Sequence, residues 1–596
     1  MRKRISLVLA ALLLVLTLFP LASCGSDDVI ELNIYNWEEY ISEEDEEWGT
    51  FDIIGEFENY ASEALGKTVK VNYSTFGTNE NMYNELQLTK RTVGGEYRYN
   101  YDLVCPSDYM IQRMIREGMV EKLDLSLIPN YTDNVSGFIW DLFEENGWTE
   151  YATCYMWGTM GFIYNKDRMM EEKLAKTGEE WSDDDAHSWE FPWKEYAQYL
   201  GTIKDSIRDT YALAVGYVYR EELLTIAEMF ENELFDEDEY RNILVKIFNN
   251  IDKPIAEELK ELDLSDEVYN SVAALFEPFG EATVDMAGKA LKELKRNVYG
   301  FEVDSGKKDM ASGKIAINFA WSGDAALVLD EVDELNEELP EDEQTILYYA
   351  VPYEGSNIWF DGWVMPKGRD EEHRKLAHMF LDFIADPESA ISNMDYIGYV
   401  SSIAGDDVFA RLVETYDLTP FDESEQDDGY HTYEIDYGYY FTDLDEENED
   451  YVFYLGEDGE VCVWDGEEDL EGVDNTWTIA KYVSYDEDGT RHVYVYMDEE
   501  QVDRQLTTQY PEPSTVARCA IMTDFNKHDL ERINAMWSDV KVGEVPMFLL
   551  IGIPVVIVLL IVLGIVLSVL KKKGVTFRRK QKDYGELIKS EEIRKK

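Results

Sequence analysis

The sequence predicts an α/β fold built on a mostly parallel sheet, and three observations carry that expectation. Leu32 and Ile34 alternate with Glu31 and Asn33 in the period of two that marks a half-buried strand. Asp52–Leu65 follows as an amphipathic helix, with Phe51, Ile54, Phe57 and Ala61 near a helical spacing. The pair then recurs. Thr68–Ser74 alternates as a second strand, a helix opens at Thr78-Asn79-Glu80-Asn81 with Thr78 or Asn79 as its cap, and Tyr101–Cys105 is a third strand. Strands that alternate with helices build parallel sheets.

Two of these strands end in the same chemistry. The first runs into Tyr35, Trp37, Glu38, Glu39 and Tyr40; the third runs into Pro106-Ser107-Asp108-Tyr109. Open α/β sheets bind ligands just beyond the carboxyl ends of their strands. Aromatic faces beside carboxylates suit an organic ammonium ion, which the ring quadrupole attracts and the carboxylate pairs. The competing reading is a surface strand end with scattered Tyr and Glu.

The chain has 596 residues, room for two to four domains, and a hydrophobic content of 45% that supports a real core. Its formal charge is −71, from 53 Lys plus Arg against 124 Asp plus Glu. Both ends are basic, so the middle is more acidic still. Such a surface excludes nucleic acid as a partner and attracts cations, although a solvated acidic surface alone also accounts for the bulk of the charge. Cys105, Cys154, Cys462 and Cys519 allow three disulfide pairings and form no metal spacing. His373 and His378 are five apart, a poor spacing for one metal. No metal and no cofactor is expected.

Both ends point to a membrane. Residues 1–23 read as a secretory signal, with Arg2-Lys3-Arg4, an apolar run over Ile5–Leu18, and Leu21-Ala22-Ser23-Cys24 at its close. Those last four residues resemble a bacterial lipobox, which implies lipidation of Cys24. Met547–Leu570 carries no charge and is long enough to span a bilayer, so a C-terminal transmembrane helix is expected. Lys571-Lys572-Lys573 and Arg578-Arg579-Lys580 follow. The positive-inside rule then puts the tail, 571–596, in the cytoplasm and the acidic body on the extracellular or periplasmic side of the cell membrane.

Several blocks, in order, carry a resemblance. They are Leu32–Ile41, Tyr73–Leu86 (YSTFGTNENMYNEL), Tyr101–Leu123 (YDLVCPSDYMIQRMIREGMVEKL), Trp157–Arg168 (WGTMGFIYNKDR), Ile317–Ala326 (INFAWSGDAA), Trp359–Gly368 (WFDGWVMPKG) and Leu376–Gly405, with a weaker match over Ala517–Lys541. Together they resemble the spermidine/putrescine-binding proteins of polyamine ABC transporters. The resemblance implies a two-lobed, periplasmic-binding-protein-like fold of type II, with ligand clamped between the lobes. It implies lobe 1 at 29–155 plus 360–405 and lobe 2 at 156–359 plus 406–541, with the hinge near Cys154 and Phe360. It also implies a polyamine ligand, ABC permease subunits as partners, and no catalysis. Two regions lie outside the family's usual size: a helical stretch at 218–283 and a β-rich acidic stretch at 421–513. In the second, hairpins are expected around Gly456-Glu457-Asp458-Gly459 and Asp488-Gly489.

The site residues follow from the same blocks. Trp37 and Tyr40 match ligands on the first strand, and Glu38 or Glu39 supplies a further carboxylate. Ser107 and Tyr109 follow the third strand. Trp321 would stack on the alkyl chain and Asp324 would take an amine. Trp359 is a second stacking wall, Asp361 the main anchoring carboxylate, and Tyr399 closes the other side. The family's lobe-2 acidic pair resembles Asp205-Ser206-Ile207-Arg208-Asp209, where Ser206 stands at one acidic position and Asp209 keeps its charge. The function implied is a membrane-anchored binding protein that delivers putrescine or spermidine to an ABC permease. The alternatives are a ligand-sensing receptor and an extracellular carbohydrate-active enzyme of the glycoside hydrolase type.

Overall fold

A long antiparallel pair of strands joins two half-sheets, and it sets the architecture. The computed structural model describes residues 29–45, 48–303, 305–337, 339–340, 343–420, 432–456, 459–464, 476–498 and 501–542. Its main sheet has eleven strands: β1 (Val29–Trp37), β2 (Thr68–Phe76), β3 (Leu103–Val104), β4 (Ala152–Asn165), β5 (Gly201–Lys204), β6 (Gly300–Glu302), β7 (Ile317–Trp321), β8 (Leu347–Ala350), β9 (Ser356–Val364), β10 (Val400–Ser401) and β11 (Cys519–Ile521). The order is β2-β1-β3-β9-β4-β7-β5-β6, with β8 and β10 paired to β4 and β11 to β9.

The outer strands of each half are parallel: β1 with β2 and β3, and β5 with β6 and β7. The centre is antiparallel. β4 pairs with β9 from Ala152 to Thr159 and then with β7 from Met160 to Tyr164. One continuous strand therefore belongs first to one half and then to the other, which makes a two-lobed α/β fold. Cys154 faces Gly362 and Trp157 faces Phe360 within this pair, and the change of partner comes between Thr159 and Met160. All nine residues of β9 are buried, and so are thirteen of the fourteen in β4. Strands covered on both faces lose the alternating pattern and become near-continuous apolar runs. Asp361 is the one carboxylate in β9, and the register shifts between Asp361 and Gly362. A bulge of this kind re-aims side chains and recurs beside binding sites.

The first helix, α1 (Ile53–Leu65), starts where Asp52 accepts the Gly55 amide at 3.0 Å and ends at Gly66, whose φ is 64°. That left-handed cap favours a residue without Cβ. Its buried stripe runs through Ile53, Phe57 and Ala61, so Ile53 rather than Ile54 leads it. Thr78 caps α2 (Asn79–Thr89) by accepting the Asn81 amide, which frees Asn79 for another task. β3 is shorter than the strand expected over Tyr101–Cys105. The Asp102 carboxylate takes the Asn33 amide at 2.7 Å and pairs with Arg369, so a side chain replaces part of the ladder. The remaining helices used below are α3 (Asp108–Arg116), α4 (Ile207–Val218), α5 (Ser322–Glu337) and α6 (Pro387–Ile397).

Within 218–283 the chain forms helices at Arg220–Glu231, Glu237–Phe248, Ile255–Glu258 and Asp266–Phe276. Within 421–513, Val452–Leu455 pairs with Val461–Val463 and Val483–Tyr485 with Arg491–Asp498, both antiparallel. Cys105, Cys154, Cys462 and Cys519 are free thiols.

The transmembrane helix expected over 547–570 is corrected here. Among the described residues no helix is long and apolar enough to cross a membrane. The longest of them, Ser322–Glu337 and Lys527–Val542, have 16 residues and carry charges. At about 1.5 Å per residue, 16 residues fall short of the ~30 Å hydrocarbon core. The fold of the described residues is the two-lobed α/β body. The localisation built on that helix, with a cytoplasmic tail at 571–596, falls with it. Both stretches lie outside the described residues, as do the expected signal at 1–23 and Cys24.

Candidate functional site

Asp361 stands at the centre of the candidate site because β9 carries it into the interior. It is only 7% exposed. Two hydroxyls hold it: Ser107 Oγ donates to Oδ1 at 2.6 Å and Tyr40 Oη donates to Oδ2 at 3.0 Å. Ser107 is itself positioned by Asn79, whose amide donates to Ser107 Oγ at 3.0 Å and accepts the Ser107 backbone N–H at 3.1 Å. The ends of β1 and β3 and the start of α2 thus converge on one carboxylate. Burial pushes the Asp361 carboxyl up to about 7. The two hydroxyls oppose that rise, and the nearby Asp209 charge adds to it.

Aromatic rings close around it. Tyr40 meets Tyr155 and Tyr399 edge-on, each with centroids 5.5 Å apart, and Tyr399 meets Trp359 at 5.4 Å. Glycines make this packing possible at two points. A Cβ on Gly158 would lie 2.7 Å from Trp359 Cζ2, and one on Gly323 would lie 2.2 Å from the Tyr399 ring.

The second half contributes a different pole. Asp324, in the first turn of α5, accepts from Tyr399 Oη at 3.0 Å. Lys204, the last residue of β5, places Nζ 2.8 Å from Asp324 Oδ2 and 4.4 Å from the centroid of the Trp321 ring. Lys307 Nζ lies 3.5 Å from Asp324 Oδ1. Burial alone would raise the Asp324 carboxyl; the two lysines outweigh it and hold the group below the usual carboxylate range.

The structure thus brings Tyr40, Ser107 and Asp361 into one hydrogen-bonded group and Tyr399, Asp324 and Lys204 into another, with Trp321 against Lys204 and the Tyr399 ring in contact with both Tyr40 and Trp359. Tyr109 lies at the edge, donating to Glu80 at 3.2 Å, with the Arg208 guanidinium 5.2 Å from its ring centroid. Asp209 is buried on α4, and that burial raises its carboxyl despite the Arg208 and Lys204 charges. Trp37 and Glu39 stand apart from both groups. Trp37 packs on Phe76 with centroids 4.6 Å apart, and its buried indole N–H has no protein partner among the described residues. Glu39 is exposed, with φ at 51°. Sequence reasoning missed Lys204, Lys307, Asn79 as a positioning residue, and Arg208. Only Asn79 carried a signal, as one of two possible helix caps.

A buried carboxylate held by hydroxyls, walled by rings and set where two lobes meet is a candidate site for a cationic solute. The family model described as bacterial extracellular solute-binding protein matches residues 57–405, more than half of the chain, and the chain belongs to that family. It is a binding protein, not an enzyme. The chain is similar to the spermidine/putrescine-binding periplasmic protein of Escherichia coli (strain K12), 22% identical over 381 residues, covering 64% of this chain and 79% of that one. It is similar to the putrescine-binding periplasmic protein SpuD of Pseudomonas aeruginosa (strain UCBPP-PA14), 24% identical over 402 residues, covering 67% and 85%. Among solved structures, it is similar to a spermidine/putrescine ABC transporter substrate-binding protein from Streptococcus pneumoniae. That match has a TM-score of 0.46 and 19% identity, and covers 86% of this chain and 98% of that one.

Proposed function

We propose that the chain binds an amine of the putrescine and spermidine class between its lobes and delivers it to the permease of an ABC transporter. One observation carries the reading: Asp361 is buried, and its hydrogen-bond partners among the described residues are two neutral hydroxyls. A buried carboxylate without a counter-ion is costly, and a ligand ammonium removes that cost. Tyr40, Tyr399 and Trp359 supply the apolar and π surface that methylenes and a cation need. The names of the similar proteins from Escherichia coli and Pseudomonas aeruginosa fit this ligand class. Closure would be a hinge motion about β4 and β9, with no covalent step.

Isothermal titration of the folded body with putrescine and spermidine tests the ligand. Saturable heat with either is expected. Silence with both, alongside binding of an unrelated solute, would defeat the amine assignment. For the permease, deletion of the gene should abolish uptake of labelled putrescine at low external concentration; undiminished uptake would count against that partnership.

A further inference from the structure

Resting on that reading, we propose that Lys204 is a built-in occupant of the second amine subsite, so the cleft engages one ligand ammonium fewer than its carboxylates provide for. Trp321 and Asp324 form what an amine end requires, a π face beside a carboxylate. That place is already filled by this chain's own ammonium. Lys204 Nζ lies 2.8 Å from Asp324 Oδ2, 4.4 Å from the Trp321 centroid, 3.0 Å from the Val303 carbonyl oxygen and 3.7 Å from Glu302 Oε1. Its side chain is 1% exposed. A Lys ammonium has three donors and no acceptor, and here Asp324 and the Val303 carbonyl each take one. A ligand ammonium reaching Asp324 would have to take this carboxylate from the buried lysine and stand beside a second cation, which is unfavourable on both counts.

Lys307 is not equivalent. Its side chain is 25% exposed and 3.5 Å from Asp324, so it can swing toward water as ligand arrives. Lys204 has no such exit. The Asp361 pole is the opposite case, with a buried carboxylate and hydroxyl partners. The cleft therefore has one open cationic subsite at Asp361 and one closed at Asp324. Its selectivity follows: a second ammonium placed to reach Asp324 adds nothing to affinity, and a monoamine of equal length competes with the diamine at that end.

Two experiments decide this. The first is a crystal structure of the wild-type protein with putrescine. Lys204 should remain on Asp324 and over Trp321, with ligand nitrogen at Asp361; a ligand nitrogen between Asp324 and Trp321 overturns the proposal while leaving the amine reading intact. The second compares putrescine with 1-aminobutane by calorimetry in wild type, Lys204→Met and Lys204→Arg. Lys204→Met should raise the putrescine-to-aminobutane affinity ratio at least tenfold, and Lys204→Arg should keep it within threefold of wild type. A folded Lys204→Met protein with an unchanged ratio overturns the proposal. If that variant does not fold, the complex structure alone decides. Absence of any amine binding by wild type would instead remove the functional reading, and this inference with it.

Discussion

Two of the buried carboxylates at the cleft, Asp361 and Asp324, stand in opposite electrostatic states. Asp361 has hydroxyl partners, and burial pushes it up to about 7. Asp324 is as deeply buried, yet Lys204 and Lys307 hold it low. The same side chain at the same depth differs because one pole was left without a cation and the other was given two. Burial alone does not identify a ligand site. A desolvated charge whose compensation is missing, set among aromatic walls, makes a candidate for one.

The difference can be broken most directly at Asp361. Asp361→Asn is expected to weaken putrescine binding by about 100-fold or more. An unpaired buried ammonium costs ~3–5 kcal/mol, and about 1.4 kcal/mol is tenfold. Titration of the folded variant checks it. The next largest effect is pH. Binding an ammonium needs the carboxylate form of Asp361, which is lost as pH falls through about 7. Affinity should be flat above pH 8 and weaken toward about tenfold per unit well below 7. Calorimetry across pH 5.5–8.5, and its loss in Asp361→Asn, reads this out.

Smaller effects sharpen the comparison. Gly158→Ala would bring a Cβ to 2.3 Å from Ser322 Oγ and 2.7 Å from Trp359 Cζ2. Displacing that packing should cost about 1–3 kcal/mol of stability, seen as a lower melting temperature, and loosen the wall beside Tyr399. Ser107→Ala removes one of the two hydroxyls that favour the charged form of Asp361. The carboxyl should titrate higher still, and putrescine affinity at pH 7 should fall by about five- to thirtyfold, for the ~1–2 kcal/mol that one such hydrogen bond contributes. The equivalent loss at Asp324, Tyr399→Phe, should affect binding less, since two lysines remain.

Much of the fold was legible where one face of an element meets water. β1, β2 and α1 showed their periods, and the hairpins at 451–464 and 481–496 showed their turn residues. The antiparallel centre was not legible. β4 and β9 are buried on both faces, so they have no alternation, and nothing local states the direction of their pairing. At the site, Asp361 and its aromatic neighbours were legible through the block WFDGW and its companions. Lys204 was not. One lysine closing GTIK reads as a solvated strand end, and its partner Asp324 lies 120 residues away. The membrane-spanning expectation failed differently: it rested on 547–570, and no helix among the described residues can cross a bilayer.

The most direct measurement is a calorimetric titration of putrescine into wild type and Asp361→Asn at pH 8, where the wild-type carboxyl is ionised. The expected result is saturable one-to-one binding to wild type and a loss of about two orders of magnitude or more in the folded variant. Equal affinity in the two proteins would contradict Asp361 as the anchor.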